Sequence, residues 1–195
     1  MVSKRDWLDT GFTVLRQDGA RALTIDRLCV DLGLTKGSFY HHFKGMAGFK
    51  TDLLQHFEAE HTERLIADAE ESGASAETRL RRLLDLVLAD SENDGDRLEI
   101  AVRAWALQDA EVHALQQRVD HLRIDYLRTL LRDLEERPQA DSESDADAHV
   151  DAMARMLYLI LIGAQQLVPS LPTEHLREVY ALALSLLPQH PRRSS

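Results

Sequence analysis

A chain of 195 residues, 44% apolar and 29% charged, holds enough apolar side chain for one sizeable core or for a small module joined to a larger one. Its single cysteine, Cys29, excludes a disulfide within the chain, and its longest apolar run, residues 156–164, is less than half of the roughly 20 residues needed to cross a bilayer. The formal net charge of −10 argues against a uniformly basic nucleic-acid binder, but residues 1–50 hold eight Lys and Arg against five Asp, so the N-terminal quarter is locally positive.

With five prolines, nine glycines and no run of alternating Val, Ile and Thr, the chain is expected to be all-α. The first helix is predicted over residues 4–17. Trp7, Leu8, Gly11, Phe12 and Leu15 make its apolar stripe, Gly11 allows close approach, and Gly19 ends it. Lys4, Arg5, Asp6 and Asp9 interrupt the apolar core that a secretion signal requires, so a cytoplasmic protein is expected.

Residues 24–43 hold two short helix signals hinged at Gly33. Thr24 is a plausible N-cap, Asp26 sits in the first turn where the helix dipole favours a carboxylate, and Ile25, Leu28, Cys29 and Leu32 recur at i, i+3, i+4, i+7. Gly33 suits the left-handed conformation that ends this helix, and Thr35 caps a second helix running to about residue 43. At about 100° per residue, Phe39 and Phe43 fall on one side, Gly37, Ser38 and His41 on the other, and Tyr40 and His42 on the flanks. The apolar side docks and the polar side is free to read DNA, as in a helix-turn-helix. Lys36, at the end that enters the groove first, suits guanine O6 and N7; Lys44, just past the far end, suits a phosphate.

Leu23-Thr24-Ile25 and Leu32-Gly33-Leu34-Thr35-Lys36-Gly37-Ser38-Phe39-Tyr40-His41-His42-Phe43 resemble the turn and recognition helix of the tetracycline-repressor (TetR) family of transcriptional regulators. The resemblance is strong over about residues 1–54. It implies that Thr35, Lys36, Gly37, Ser38, Tyr40, His41 and His42 line the DNA, with Tyr40 and His42 on phosphates; Thr24 and Lys44 complete the expected set. The family pattern continues with a lysine and an acidic residue opening the fourth helix. This chain has Met46, Ala47 and Gly48 there, leaving Lys44 and Lys50 as the two candidates to replace the missing phosphate contact.

The fourth helix is predicted from Met46 through Leu65, with a break at residues 73–75. Further helices are predicted over residues 80–88, 98–107 and 111–136, with a polar turn at 91–95 and an acidic, Pro- and Ser-containing loop at 137–147. The last two are predicted over 148–167 and 173–187, separated by Pro169 and Pro172, with a frayed tail from residue 189. Met153, Met156, Leu157, Ile160, Gly163, Ala164 and Leu167 form one stripe of the first of these, while Leu159, Leu161 and Ile162 point elsewhere. Packing within the chain and a paired four-helix bundle between subunits both account for this surface; the resemblance implies the second, which makes the stripe, with Leu176, Val179, Tyr180 and Ala183, the expected homodimer interface.

The resemblance implies a ligand cavity among the middle helices, for which Arg103, Trp105, His113, Tyr126 and Tyr158 are the candidate lining residues. His56, His61, His113 and His121 read as surface side chains, His56 and His61 being five apart and poorly placed to share a helix face. No Gly-rich phosphate loop, nucleophile elbow, His-Glu-x-x-His or cysteine pair occurs, so no catalytic residue, metal or cofactor is expected. The expectation is a DNA-reading domain over residues 1–48 and an effector-binding and dimerisation domain over 49–195. The expected function is a repressor released from a pseudo-palindromic operator by a small molecule of unknown identity. A protein-interaction adaptor with degenerate DNA binding and a small helical enzyme are the competing readings.

Overall fold

The computed structural model describes residues 2–71, 75–92, 95–134, 143–168 and 171–185, and the regular elements among them are all helical. Helix α1 is Lys4–Asp18, capped by Ser3, whose backbone N–H donates to Asp6 Oδ2 at 2.6 Å while its Oγ accepts from the Asp6 N–H at 3.3 Å. A 3₁₀ turn, Ala20–Ala22, leads to α2, Ile25–Leu32, and α3, Lys36–His42. Helix α4 is one continuous run of Met46–Glu58, a π turn at Ala59–Glu63 and Arg64–Glu70. Then follow α5, Ala76–Glu92; α6, Gly95–Ala106; α7, Ala110–Leu134; α8, Glu143–Gln165; and α9, Thr173–Ser185. No described helix is long and apolar enough to cross a membrane.

The chain packs as two compact units. The first comprises Met1–Asp68 and Ala89–His121, and the second Ala69–Leu88 and Leu122–Ser195. In the first, Trp7, Phe39, Phe43, Phe49 and Phe57 build an aromatic core that continues into Leu98, Val102, Val112 and Leu115 of α6 and α7. Phe49 fits against α1 only because Gly11 has no side chain: a Cβ there would lie 2.8 Å from Phe49 Cζ and 3.1 Å from Leu53 Cδ1. In the second unit, Leu88, Leu130, Leu131, Val150, Ala154 and Leu157 are buried with Leu176, Tyr180 and Ala183 of α9.

Several boundaries differ from expectation. Helix α5 extends beyond residues 80–88 at both ends; residues 91, 92 and 95 of the expected polar turn are helical, and residues 93–94 lie outside the described residues. Residues 143–147, expected in the acidic loop, open α8; carboxylates are favoured at the start of a helix, so acidic composition alone does not mark a loop. Residues 73–74, the remainder of the 137–147 loop before Glu143, Pro169 and the tail from 189 lie outside the described residues.

The π turn corrects the histidine reading. His56 and His61 are largely buried rather than on the surface, and both reach one ring: His56 stacks on Phe12 at 5.1 Å and His61 meets it edge-on at 5.7 Å. A π turn adds a residue to the helical repeat, which brings positions five apart onto one side. His56 Nε2 lies 3.0 Å from Asp9 Oδ1, and His61 Nδ1 3.1 Å from Asp90 Oδ2. His113 and His121 are exposed, as expected.

Gly11 and Gly48 provide a matched test of this packing. In Gly11→Ala, overpacking of about 1–3 kcal/mol outweighs the gain in helix propensity of up to about 1 kcal/mol. A Cβ at Gly48 meets nothing closer than Lys44 Cβ at 3.9 Å, so Gly48→Ala keeps that gain. Urea unfolding is expected to show the first substitution destabilising and the second neutral to stabilising.

Candidate nucleic-acid interface

The α2–α3 unit is specified locally. Thr24 Oγ1 accepts from the Arg27 N–H at 3.2 Å, starting α2, and Gly33 ends it in the left-handed region at φ 65° and ψ 32°. The Gly33 and Leu34 N–H groups donate back to the Val30 and Cys29 carbonyls at 3.1 and 2.9 Å, closing the turn. Thr35 Oγ1 then accepts from the Ser38 N–H at 3.4 Å and starts α3. Cys29 is buried on the inner face of α2, and its thiol is pushed up by burial, away from thiolate reactivity.

Helix α3 presents two different sides. Phe39 is fully buried and Phe43, at its C-cap, nearly so, their rings 5.1 Å apart and packed on Phe49 at 5.7 and 5.0 Å. Trp7 closes this cluster edge-on at 5.5 Å from Phe39 and 6.5 Å from Phe43. Opposite, Thr35, Lys36, Gly37, Tyr40 and His41 are exposed, Ser38 and His42 half-buried. Tyr40 is 59% exposed, its ring edge-on to Phe39 at 5.7 Å, and the His41 and His42 rings are 5.1 Å apart. Thr24 and Lys44 are also exposed. The structure thus brings the residues expected to face DNA together around one two-turn helix with its aromatic side anchored.

Two basic residues are held by carboxylates, which the spacing did not reveal. Lys36 Nζ lies 2.6 Å from Asp26 Oδ1, and this hydrogen bond from α2 raises the ammonium above the usual lysine range. Lys50 reaches Asp109 and Glu111, at the start of α7, rather than solvent. These partners come from α2 and from 59 residues away, and no local pattern announces them.

The five candidate ligand residues are divided between the units. In the first, Arg103 is bound to Glu99 at 2.9 Å and Asp120 at 2.8 Å, His113 is exposed, and Trp105 flanks a cleft of about 480 Å³ with Leu23, Met46 and Glu111. In the second, Tyr126 donates to Glu70 Oε1 at 2.7 Å and the Tyr158 hydroxyl accepts from Arg123 at 3.4 Å. Desolvation, reinforced by Glu70, pushes the Tyr126 hydroxyl well above the usual tyrosine range. The lining of the first unit's cleft includes Trp105 but neither Arg103 nor His113.

The expected interface stripe is also divided. Met153, Leu157, Leu176, Tyr180 and Ala183 are buried inside the second unit's own core, and Met156, Ile160 and Ala164 are half-buried. Along α8, residues 166–168 and α9 the exposed large apolar side chains are Leu159, Leu167, Val168, Val179 and Leu182, with Gly163 exposed between the first two. Leu159, expected to point away from the stripe, belongs to the outward face, because the other side of α8 is filled by α9 and α7 of the same chain.

Residues 8–51 match the family model described as "Bacterial regulatory proteins, tetR family". No curated protein matches the chain. Among solved structures it is similar to a candidate TetR-family transcriptional regulator from Rhodococcus sp., with 20% identity, TM-score 0.72 and coverage of 94% of this chain and 97% of that one. It is also similar to a TetR transcription regulator from Haloarcula marismortui ATCC 43049, with 20% identity, TM-score 0.71 and coverage of 93% and 94%. A third, a candidate transcriptional regulator from Saccharomonospora viridis in complex with choline, shares 18% identity at TM-score 0.72, with 94% and 96% covered. At these identities the structural likeness establishes a shared fold across nearly the whole chain.

Proposed function

We propose that this chain, whose residues 8–51 match the TetR family model, is a DNA-binding transcriptional regulator of that family and acts as a homodimeric repressor, released from a pseudo-palindromic operator when a small molecule binds residues 49–195. The observation that carries the reading is α3: its polar side is exposed while its aromatic side is locked in a core, which is what a helix needs to enter a major groove without losing its orientation. In this reading residues 1–48 are the reader. Lys36 leaves Asp26 for a base edge, Thr35, Gly37, Ser38 and His41 lie along the groove, and Tyr40, His42, Lys44 and Thr24 hold backbone phosphates.

The dimer places two such helices in successive major grooves, about 34 to 36 Å apart. The outward apolar face of α8 and α9 is its interface, since isolated exposed apolar residues are ordinary but this set recurs at helical spacing on adjacent helices. The effector side rests on the family's fold and on the choline complex of the Saccharomonospora viridis protein, a property of that protein. For the present chain Trp105 is the most informative lining candidate, because it flanks an open cleft. Operation as a gene regulator puts the protein with DNA in the cytoplasm.

Selection from a random-sequence duplex pool by the full-length protein tests the reading, which requires an enriched two-fold symmetric site. On that site Tyr40→Phe and His42→Ala are expected to weaken binding to all sequences alike. Lys36→Ala is expected also to relax discrimination at one base position by about 1 to 3 kcal/mol. Unchanged base preference in Lys36→Ala would remove this lysine from readout.

Gly163→Glu tests assembly, because a Cβ at Gly163 meets no atom of the described chain within 4 Å. Together with Leu159→Glu it is expected to yield a folded monomer by light scattering, with operator affinity reduced at least tenfold. A doubly substituted protein that remains dimeric at micromolar concentration would place the interface elsewhere.

A further inference from the structure

Lys50 is the one candidate phosphate ligand of α4 that the structure turns inward. Its Nζ lies 2.9 and 3.1 Å from the two Asp109 carboxylate oxygens and 2.7 Å from Glu111 Oε2, and its side chain is 23% exposed. The neighbouring Thr51 Oγ1 donates to Glu111 Oε1 at 2.9 Å, so two consecutive residues of α4 engage the same turn. That turn is itself fixed, because Asp109 Oδ1 accepts the Glu111 and Val112 N–H groups at 3.0 and 3.2 Å as the cap of α7. Burial opposes the Lys50 ammonium, yet its bonds to Glu111 and Asp109 outweigh that and hold it above the usual lysine range. Lys50 in turn holds both carboxyls below theirs.

We propose that Lys50 is a positioning residue for DNA reading: together with Asp109 and Glu111 it latches α4 to the start of α7 and so sets the orientation of α3, instead of contacting phosphate. The mechanical path is short. Phe49, adjacent to the latch, is the residue on which Phe39 and Phe43 pack, so a displacement of α4 at this point moves the floor beneath the recognition helix. The latch also accounts for Met46-Ala47-Gly48. Helix α4 begins at Gly45 with no side-chain cap and no acidic residue in its first turn, so its start has little local stabilisation and is fixed from outside. Two carboxylates around one ammonium leave a local surplus of negative charge, which repels a DNA phosphate at this position.

The inference rests on the DNA-reading role of α3, and its test separates the two. The full-length protein, Lys50→Met, Lys50→Arg and the double variant Asp109→Asn/Glu111→Gln are titrated with the duplex enriched from the random pool, over a series of KCl concentrations. Asn retains the capping oxygen, so the double variant keeps α7 intact. Lys50→Met and the double variant are both expected to bind about tenfold more weakly with an unchanged salt slope, and Lys50→Arg is expected to restore binding. A phosphate contact gives the opposite pattern: Lys50→Met lowers the salt slope by about one, and the double variant, with Lys50 released, binds more tightly. That pattern, or unaltered affinity in both variants, overturns the latch. Hydrogen exchange in the free proteins is the second measurement, with faster exchange expected over residues 46–52 in Lys50→Met and the double variant. If the unsubstituted protein enriches no duplex, the DNA-reading role fails, while unchanged exchange in both variants would sink the latch by itself.

Discussion

The contact of Phe49 with Phe39 and Phe43 is the constraint from which the reader follows. Helix α3 has seven residues, and a helix of two turns is far too short to persist in water on its own propensity. Its conformation therefore depends on the two rings it buries. Those rings sit on Phe49, and Phe49 reaches them only through the space left at Gly11 of α1. Each aromatic pair adds about 0.5–1.5 kcal/mol to the burial of its area, and the perpendicular approaches of Trp7 and Phe49 fix rotation as well as distance. One glycine and four rings thus convert a segment with weak intrinsic order into a rigid surface.

How much of this was legible depended on sequence separation. Residues 24–43 were readable because every device in them is local: a cap acts on the third residue after it, the left-handed Gly33 closes a turn with neighbours, and the wheel of α3 needs only Phe39 and Phe43. Helix α4 was readable at its start but not at its middle, because a π turn inserts a residue into the repeat without changing composition. The Phe12 stack of His56 and His61 follows from that insertion. For α8 the periodicity identified an apolar stripe but not which neighbour covers it. Leu157 and Leu159 are equally apolar in sequence, and only α7 and α9 decide that the first is core and the second faces out. Tyr126 and Tyr158 were singled out as aromatic, yet each hydroxyl already has a polar partner, Glu70 for one and Arg123 for the other.

Charge in the reader is more finely divided than the excess of eight basic over five acidic residues suggests. Lys4 is paired with Asp52, Arg5 with Glu60, Arg27 with Asp18 and Asp31, Lys36 with Asp26, and Lys50 with Asp109 and Glu111. The exposed pairs among these contribute at most about 1 kcal/mol each, because water screens them and two side chains must be ordered to make them. A DNA phosphate or base edge competes easily with such a pair. The Lys36–Asp26 pair, with side chains 61% and 73% exposed, is of this exchangeable kind.

Lys50 is of the other kind, and the contrast follows from burial rather than from distance, since the two pairs are almost equally short. Its carboxylate partners are less exposed, one of them is anchored as a helix cap, and releasing the ammonium would leave two neighbouring carboxylates whose mutual repulsion it now offsets. A lysine in that setting serves better as a fixed point than as a ligand. The same residue type, fourteen positions apart, is thus divided by its surroundings into a side chain in an exposed, exchangeable pair, as the proposed reader needs, and one held between two carboxylates, as the proposed latch needs.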